Sequence, residues 1–329
     1  MVEIRTVAVM GATGRQGRGV VDALLFTIGD IEYRVRPLTR SLTSKLAQRF
    51  AYDYPQLSLV QYKGDDISSL QKCFEGCYGA FVDSGILLHP ETDVKEWTHM
   101  ELAHGDRIRQ AAENAGIKHV IYPTFPSIFN ASNGRINIRY FETKHQIALQ
   151  LRASHIPSTI LCPGPFYTDF NDMGYALLQD NVVVFSTPAA PEKRMGWADP
   201  GHDIGWFARA SFDVGPAVVG EEFLPVCGQS ISYEELASKF SAVTGIPAEY
   251  RQCSVDEFGK GGNIHGVKAK ELRGLGEWLA IAPDGKTCYG TIGLDILELV
   301  ETRMKVKALS WETFLERTGW RGPGKEAKQ

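Results

Sequence analysis

From its first residues the chain alternates short β-branched apolar runs with longer stretches in which apolar residues return every three or four positions. TVAVM (6–10) precedes an amphipathic segment from Arg15 to Phe26, EYRVRPLTR (32–40) one from Ser44 to Phe50, and LSLVQY (57–62) one from Ile67 to Phe74. YGAFVD (78–83), a long segment from Val94 to Ala115, KHVIYPT (118–124), a helix from about Ile138 to Ala153 and PSTILC (157–162) continue the rhythm. Apolar runs of strand length alternating with helical periodicity imply βαβ units, whose right-handed crossovers build a parallel sheet covered on both faces. The pattern predicts an α/β, doubly wound fold over residues 1–162.

After Cys162 the rhythm breaks. Pro163, Pro165, Pro188 and Pro191 punctuate irregular stretches, and the next firm helix is ISYEELASKFSAVTG, starting near Ser232. Residues 163–329 therefore read as a smaller α+β lobe. Within it residues 196–220, with the helical WADPGHDIGWFARASFD, are expected to return to the first domain, and ALSWETFLERTG ends the chain as a helix that Ser310 can cap.

The first strand runs into GATGRQGRGV. Gly11, Gly14 and Gly17 stand between that strand and a helix, where glycine permits a tight turn, close approach of backbone N–H groups to a pyrophosphate and close helix packing, with the anion at the positive helix end. The bland alternative is a structural turn. The end of the second strand separates the two dinucleotides: a free ribose is usually held by Asp or Glu there, whereas a 2′-phosphate needs a cation. Here stand Arg40, hydroxyls from Thr39, Ser41, Thr43 and Ser44, and then Lys45, which favours NADP(H) over NAD(H) unless Arg40 is only a solvated strand-end charge. Asp65 and Asp66, after the third strand, lie beside the adenine or cap the next helix.

Composition narrows the picture. With 329 residues, 43% hydrophobic and 22% charged, the chain suits one large or two smaller domains, and no apolar run reaches membrane-spanning length. MVEIRTVAVMGATG lacks the features of a secretory leader, so a cytoplasmic location is expected. A net charge of −4 and no basic stripe outside RGPGKEAK argue against direct nucleic-acid binding. The six cysteines read as buried small hydrophobes, Cys73 and Cys77 being too few for a zinc site, and the eight histidines show no metal-ligand spacing, so no metal is expected. Of the histidines only His89 is expected near the cleft, and Asp199 with the residues after it is read as a helix cap.

In order, GATGRQG, LTR, GDD, AGIKHVIYPT, YFETK, PGPFYTDF and DPGHDIG make the chain resemble the NmrA-like branch of the short-chain dehydrogenase/reductase superfamily, over nearly its whole length. The resemblance implies a Rossmann domain that binds NADP(H). Gly11, Thr13, Gly14, Arg15, Gln16 and Gly17 would hold the phosphates, Arg40 the 2′-phosphate, and Val82, Asp83 and Ser84 would line the cofactor. Lys144 and the turn through Phe166, Tyr167 and Asp169 would approach the nicotinamide. Some relatives carry a lysine in the helix containing His104; Ala103 and His104 stand there instead.

The family includes both reductases and NADP-sensing regulators, so activity has to be read from the site. Tyr140 and Lys144 are spaced Y-x-x-x-K, on one face of a helix. Reduction of a carbonyl needs a proton at oxygen as hydride reaches carbon, and an ammonium beside a phenol lowers the phenol's pKa while holding ribose hydroxyls. By the resemblance, sensors lack this tyrosine. The reading is an NADPH-dependent reductase of a small organic carbonyl, enone or imine, with Tyr140 as proton donor, Lys144 assisting, and Thr124 or Ser127 orienting the substrate oxygen; Tyr167 either faces substrate or packs. The alternatives are a redox-sensing regulator with a protein partner and a non-redox enzyme, an isomerase or dehydratase.

Overall fold

Val7, Ala8 and Val9 have no solvent-exposed surface, because the strand they form is covered on both faces. The computed structural model describes residues 2–85, 93–219, 223–228, 230–260 and 269–324. Its first half runs β1 (Glu3–Val9), α1 (Arg15–Leu25), β2 (Ile31–Thr39), α2 (Lys45–Asp53), β3 (Val60–Gln61), α3 (Ile67–Phe74), β4 (Gly79–Phe81), α4 (Val94–Asn114), β5 (His119–Pro123), α5 (Ile128–Ala131), α6 (Arg139–Arg152) and β6 (Ser158–Pro163). Then come α7 (Asp169–Asp172), β7 (Ala176–Gln179), β8 (Val182–Phe185), β9 (Arg194–Met195), α8 (Asp203–Val214), α9 (Pro216–Val219), β10 (Phe223–Val226), β11 (Ile231–Ser232) and α10 (Tyr233–Thr244). β12 (Ala248–Tyr250), α11 (Val255–Lys260), α12 (Ala269–Ile281), β13 (Lys286–Thr287), β14 (Ile292–Gly293), α13 (Leu294–Met304) and α14 (Trp311–Thr318) complete the chain.

Seven strands form one parallel sheet in the order β10-β6-β5-β4-β1-β2-β3. Successive residues alternate between its faces. Ala8, Val120 and Ile160 pack with Leu70 of α3, Ile108 of α4 and Ile147 of α6, whereas Val7, Val9, Ile121 and Leu161 pack with Val20 of α1 and Phe207 of α8. β1 lies between β2 and β4, so the crossovers leave it in opposite directions and open a crevice beyond its C-terminal end, the usual ligand position in such sheets.

Within residues 196–220, α8 is laid along α1. A Cβ on Gly19 would lie 2.6 Å from the Gly201 carbonyl oxygen and one on Gly205 only 2.1 Å from the Gly19 oxygen, so the two helices touch through backbone. Buried Arg209 of α8 donates to the carbonyls of Ala23, Phe26 and Ile28, satisfying acceptors at the end of α1. Beyond the expected range, β10 supplies the seventh strand, and Val300 and Met304 of α13 join the same core. The other core is built around Trp197, Trp278 and Trp311, between β8, α10, α12 and α14.

Ser232 caps α10 in a capping box with Glu235, and Ser310 caps α14 through the amide of Thr313, both as the sequence pattern indicates. Among the described residues no helix is long and apolar enough to cross a membrane. Because a side chain at residue 205 meets main chain and not a movable side chain, Gly205→Ala should destabilise the protein by about 2–3 kcal/mol in denaturant unfolding, against a near-neutral effect of Glu96→Ala at an exposed helical position.

Candidate functional site

The crevice begins where β1 ends. Gly11 adopts φ +66°, and its carbonyl oxygen accepts from the Gly14 amide at 2.8 Å. A Cβ on Gly17 would lie 2.2 Å from that same oxygen, so the loop is as tight as main chain allows. Gly14 holds the N-cap position of α1 with no side-chain cap, leaving first-turn N–H groups available. Met10, Gly11, Gly14, Arg15, Gln16, Gly17, Phe81 and Asp83 line a cavity of about 150 Å³ there, and the Gln16 Oε1 is buried without a partner. These features fit a pyrophosphate at the helix mouth. Arg15 reaches across to pair with Asp172 of α7.

A larger cavity of about 740 Å³ opens past the ends of β2 and β3, lined by Arg40, Asp65, Met100, His104 and Arg107 among others. Arg40 Nη1 donates to the Gly85 carbonyl at 2.9 Å. Arg107 donates through Nε to the Gly64 carbonyl at 2.8 Å, and His104 Nδ1 lies 3.0 Å from the same oxygen. Burial lowers the pKa of His104, with the Arg107 and Arg40 charges acting in the same direction. Of the two aspartates, Asp66 is the cap, accepting from the amides of Ser68 and Ser69, and Asp65 lines the cavity. Exposed Lys45 does not line it; Arg107 supplies the second cation instead.

Farther along the crevice, Lys144 of α6 meets Glu101 of α4 at 2.9 Å and Asp83 at 3.6 Å. Fully buried Ser84 donates to Glu101 Oε1 at 3.0 Å, so the Tyr122 hydroxyl, 2.7 Å from Ser84 Oγ, must donate to it, and Lys144 Nζ does so at 3.3 Å. Burial opposes the Lys144 charge, but Glu101, Tyr122 and Asp83 together hold its pKa well above the usual lysine range. Half-exposed Asp83 stays below the ordinary carboxylate range: Lys144, the Gly85 amide and Arg40 outweigh its desolvation. Val82 is buried in the strand end.

The expected coupling of Tyr140 to Lys144 is not what the structure shows. Burial pushes the Tyr140 pKa up, aided by the Asp169 and Glu271 charges, and the lysine makes no countering contribution because its ammonium is turned to Glu101 and Ser84. Tyr140 packs edge-on to Phe125 at 5.6 Å and Phe141 at 4.8 Å, and its hydroxyl has no hydrogen-bond partner among the described residues. Shared helix face is thus not shared direction: four residues apart, one side chain runs toward the sheet and the other toward the smaller lobe's aromatic core.

Other candidates separate equally clearly. Ser127 caps α5, accepting from Asn130 N at 3.0 Å, and donates to Glu142 at 2.7 Å. Thr124 is buried with only a 3.3 Å contact to the next carbonyl. Tyr167 is 2% exposed, packed against Trp197, Trp311 and Phe314 with its hydroxyl on the Leu309 carbonyl, so it belongs to the core; it does not line the cradle cavity, but one edge borders a separate cavity of about 270 Å³ with Arg15 and Asp172. The Phe166 amide donates to Asp169 Oδ2 at 3.1 Å. Asp199 caps nothing alone: its carboxylate binds Arg317 and the Gly201 amide, while Asp203 accepts the Asp199 amide. His89 lies outside the described residues.

Sequence reading missed Glu101, His104 and Arg107. A signal was present: on α4 the apolar stripe of Ile108, Ala111 and Ala112 continues N-terminally through Glu101 and His104, which are 1% and 3% exposed. Polar residues on an inward stripe mark a site or a network.

A glycine cradle at the switch point of a doubly wound sheet, with an arginine beyond β2, defines a protein of the dinucleotide-binding Rossmann class. The chain belongs to the NmrA-like family, whose model matches residues 3–277. It is 28% identical over 257 residues, 75% of each chain, to the NmrA-like family domain-containing oxidoreductase malD of Malbranchea aurantiaca. It is 24% identical to the nitrogen metabolite repression protein nmrA of Emericella nidulans, across 75% of this chain and 68% of that one. The crystal structure of NmrA, a negative transcriptional regulator, in complex with NADP shares the fold at a TM-score of 0.75 and 21% identity, covering 95% of this chain and 94% of that one.

The buried pair makes a stability test. Glu101→Leu, which leaves the Lys144 ammonium without its main countercharge, should cost about 3 kcal/mol in denaturant unfolding at pH 7, and adding Lys144→Met should recover most of the loss.

Proposed function

We propose that the protein is an NADP(H)-dependent reductase of a small organic carbonyl, enone or imine. The observation that carries this reading is a set of three neighbouring parts joined through Asp83 and Gly85: Asp83 lines the glycine cradle's cavity and pairs with Lys144, and Arg40 of the second cavity donates to the Gly85 carbonyl. A two-arginine cavity occupies one end of this set, and at the other stands a firmly charged lysine, with the unpaired Tyr140 hydroxyl on the same helix. Oxidoreductase names among relatives such as malD point the same way.

Bound NADPH supplies hydride. The residues of this chain do the rest: the first-turn amides of α1 and Gln16 receive the pyrophosphate, Arg40 and Arg107 receive the 2′-phosphate, and Lys144, kept protonated by Glu101, is the cation for ribose hydroxyls. With its pKa raised, Tyr140 keeps its proton and serves as a hydrogen-bond donor to the substrate oxygen, and Thr124 is the remaining hydroxyl for orienting it. The substrate is a small molecule, with no direct role for nucleic acid or membrane.

A second reading, a regulator that binds NADP(H) and signals to a protein partner, draws support from one observation: Lys144 is committed to Glu101 and does not activate Tyr140. Turnover decides between them. The reductase should oxidise NADPH with at least one member of a carbonyl and enone panel, and Tyr140→Phe should lower kcat at least tenfold with NADPH affinity within about twofold. Tight NADPH binding without turnover on any member would favour the regulator.

Cofactor choice has a separate measurement. Arg40→Ala and Arg107→Ala should each weaken NADP⁺ binding about tenfold or more in calorimetric titration while changing NAD⁺ by less than threefold, since only NADP⁺ carries the 2′-phosphate. Equal losses for both dinucleotides would remove these arginines from phosphate recognition.

A further inference from the structure

Arg15, the first residue of α1, lines two cavities. One is the cradle cavity, which it shares with Gly11, Gly14 and Gln16; the other, of about 270 Å³, lies between the mouth of α1, α7 and α14 and is walled by Phe314 and Trp320. The arginine's stem passes over Gly201, where an added Cβ would lie 3.6 Å from Arg15 Cγ. Its head turns to the smaller lobe. Nη1 donates to Asp172 Oδ2 of α7, and neither Nη2 nor Nε has a hydrogen-bond partner among the described residues.

The two partners are not held alike. α7 is anchored by Phe170, which is fully buried with ring centroids 4.6 Å from Trp197 and 5.0 Å from Phe185. The Asp172 amide donates to the Thr168 carbonyl at 2.9 Å, and the Asn171 side-chain amide donates to Asp172 Oδ1 at 3.4 Å. Arg15 has only the one bond at its head, and its side chain is 52% exposed against 32% for Asp172. When the pair opens, the arginine head moves and the carboxylate stays. An ion pair this exposed is weak, because water solvates both charges well and holding a long side chain in one geometry costs entropy. A guanidinium on a phosphate makes stronger, charge-assisted bonds. The pair therefore yields to a phosphate arriving at the cradle.

We propose that Asp172 sets the affinity of the cradle for its dinucleotide: it holds the Arg15 guanidinium on α7 until the pyrophosphate binds and takes that guanidinium from it. The proposal rests on the reading that the cradle receives the pyrophosphate, and it holds for a reductase and a regulator alike. The exchange carries one positive charge from α7 to the mouth of α1 and leaves the Asp172 carboxylate unneutralised at the rim of the second cavity, so occupancy of the cradle changes the charge that the smaller lobe presents. Breaking the pair is subtracted from the free energy of binding, and removing the carboxylate beforehand tightens the dinucleotide. NADP⁺ and NAD⁺ both carry the pyrophosphate, so the effect is common to them, unlike the effects of Arg40 and Arg107.

Calorimetric titration of NADP⁺ and of NAD⁺ into wild type, Asp172→Asn, Arg15→Ala and the double variant tests the exchange. The ionic strength is set near physiological, where charges acting only through solvent are screened beyond about 8 Å. Asp172→Asn should tighten both dinucleotides about threefold, the scale of an exposed ion pair, and Asp172→Glu, which keeps the charge, should lose most of that gain. Arg15→Ala should weaken both about fivefold, and in its background Asp172→Asn should change neither, because the carboxylate acts through the arginine. A residue that merely shapes α7 would give weaker binding when replaced, with or without Arg15. Unchanged or weaker binding in Asp172→Asn, a gain that persists without Arg15, or an Arg15→Ala variant that binds like wild type overturns the exchange and leaves the dinucleotide site standing. Failure of wild type to bind either dinucleotide overturns both.

Discussion

Backbone touching backbone around α1 is the constraint on which the rest of this structure depends. Gly17 seats the helix mouth against the Gly11 carbonyl, and two residues on, Gly19 lets α8 lie against the same helix through Gly205. The first contact brings amide groups to the crevice; the second brings a late segment of the chain back to an early one. Arg209, buried in α8 and bonded to three carbonyls at the end of α1, secures that return. Because β10 and α13 follow α8 onto the same core, the smaller lobe is tied to the sheet at several points, and α7 is held where Asp172 can pair with Arg15 of the cradle.

Charge along the crevice is arranged in alternation, and this determines what each ionisable group can do. Arg40 and Lys144 flank Asp83 and keep it ionised, while Glu101, withdrawn into the core with Ser84 and Tyr122, keeps Lys144 charged. Such a network favours position over reactivity, because it holds the Lys144 pKa up and the Asp83 pKa down, each away from neutral pH. At Asp169 the balance differs: desolvation, with the Asp172 charge, outweighs the Phe166 amide and Arg15, and the carboxyl is drawn toward its protonated form.

The part of the site that could be read from the sequence was the part built locally. The cradle needs a strand, three glycines and a helix in succession, and Arg40 needs only to follow β2. Tyr140 and Lys144 were read as a pair on the same logic, since i and i+4 share a helix face, yet rotamers and neighbours send one side chain to Glu101 and the other to Phe125. Ser127 and Tyr167 show a related limit: a serine near a strand end and an aromatic in a turn are common both in sites and in scaffolds, and only the bonds to Asn130 and Leu309 distinguish them. Arg107 and Glu101 could be found only once α4 was laid against the sheet, although polar residues on its inward stripe were visible beforehand.

Taken alone, the order of residues determined the parallel α/β architecture, the tight glycine turn at the mouth of α1, the caps at Ser232 and Ser310 and the break in rhythm after Cys162, because each depends on periodicity or on backbone needs within a few positions. Tertiary structure decided which late segments rejoin the sheet, which carboxylate neutralises Lys144, and which second arginine stands with Arg40. Those outcomes turn on desolvation and on contacts between residues tens to more than a hundred positions apart, quantities that no local pattern encodes.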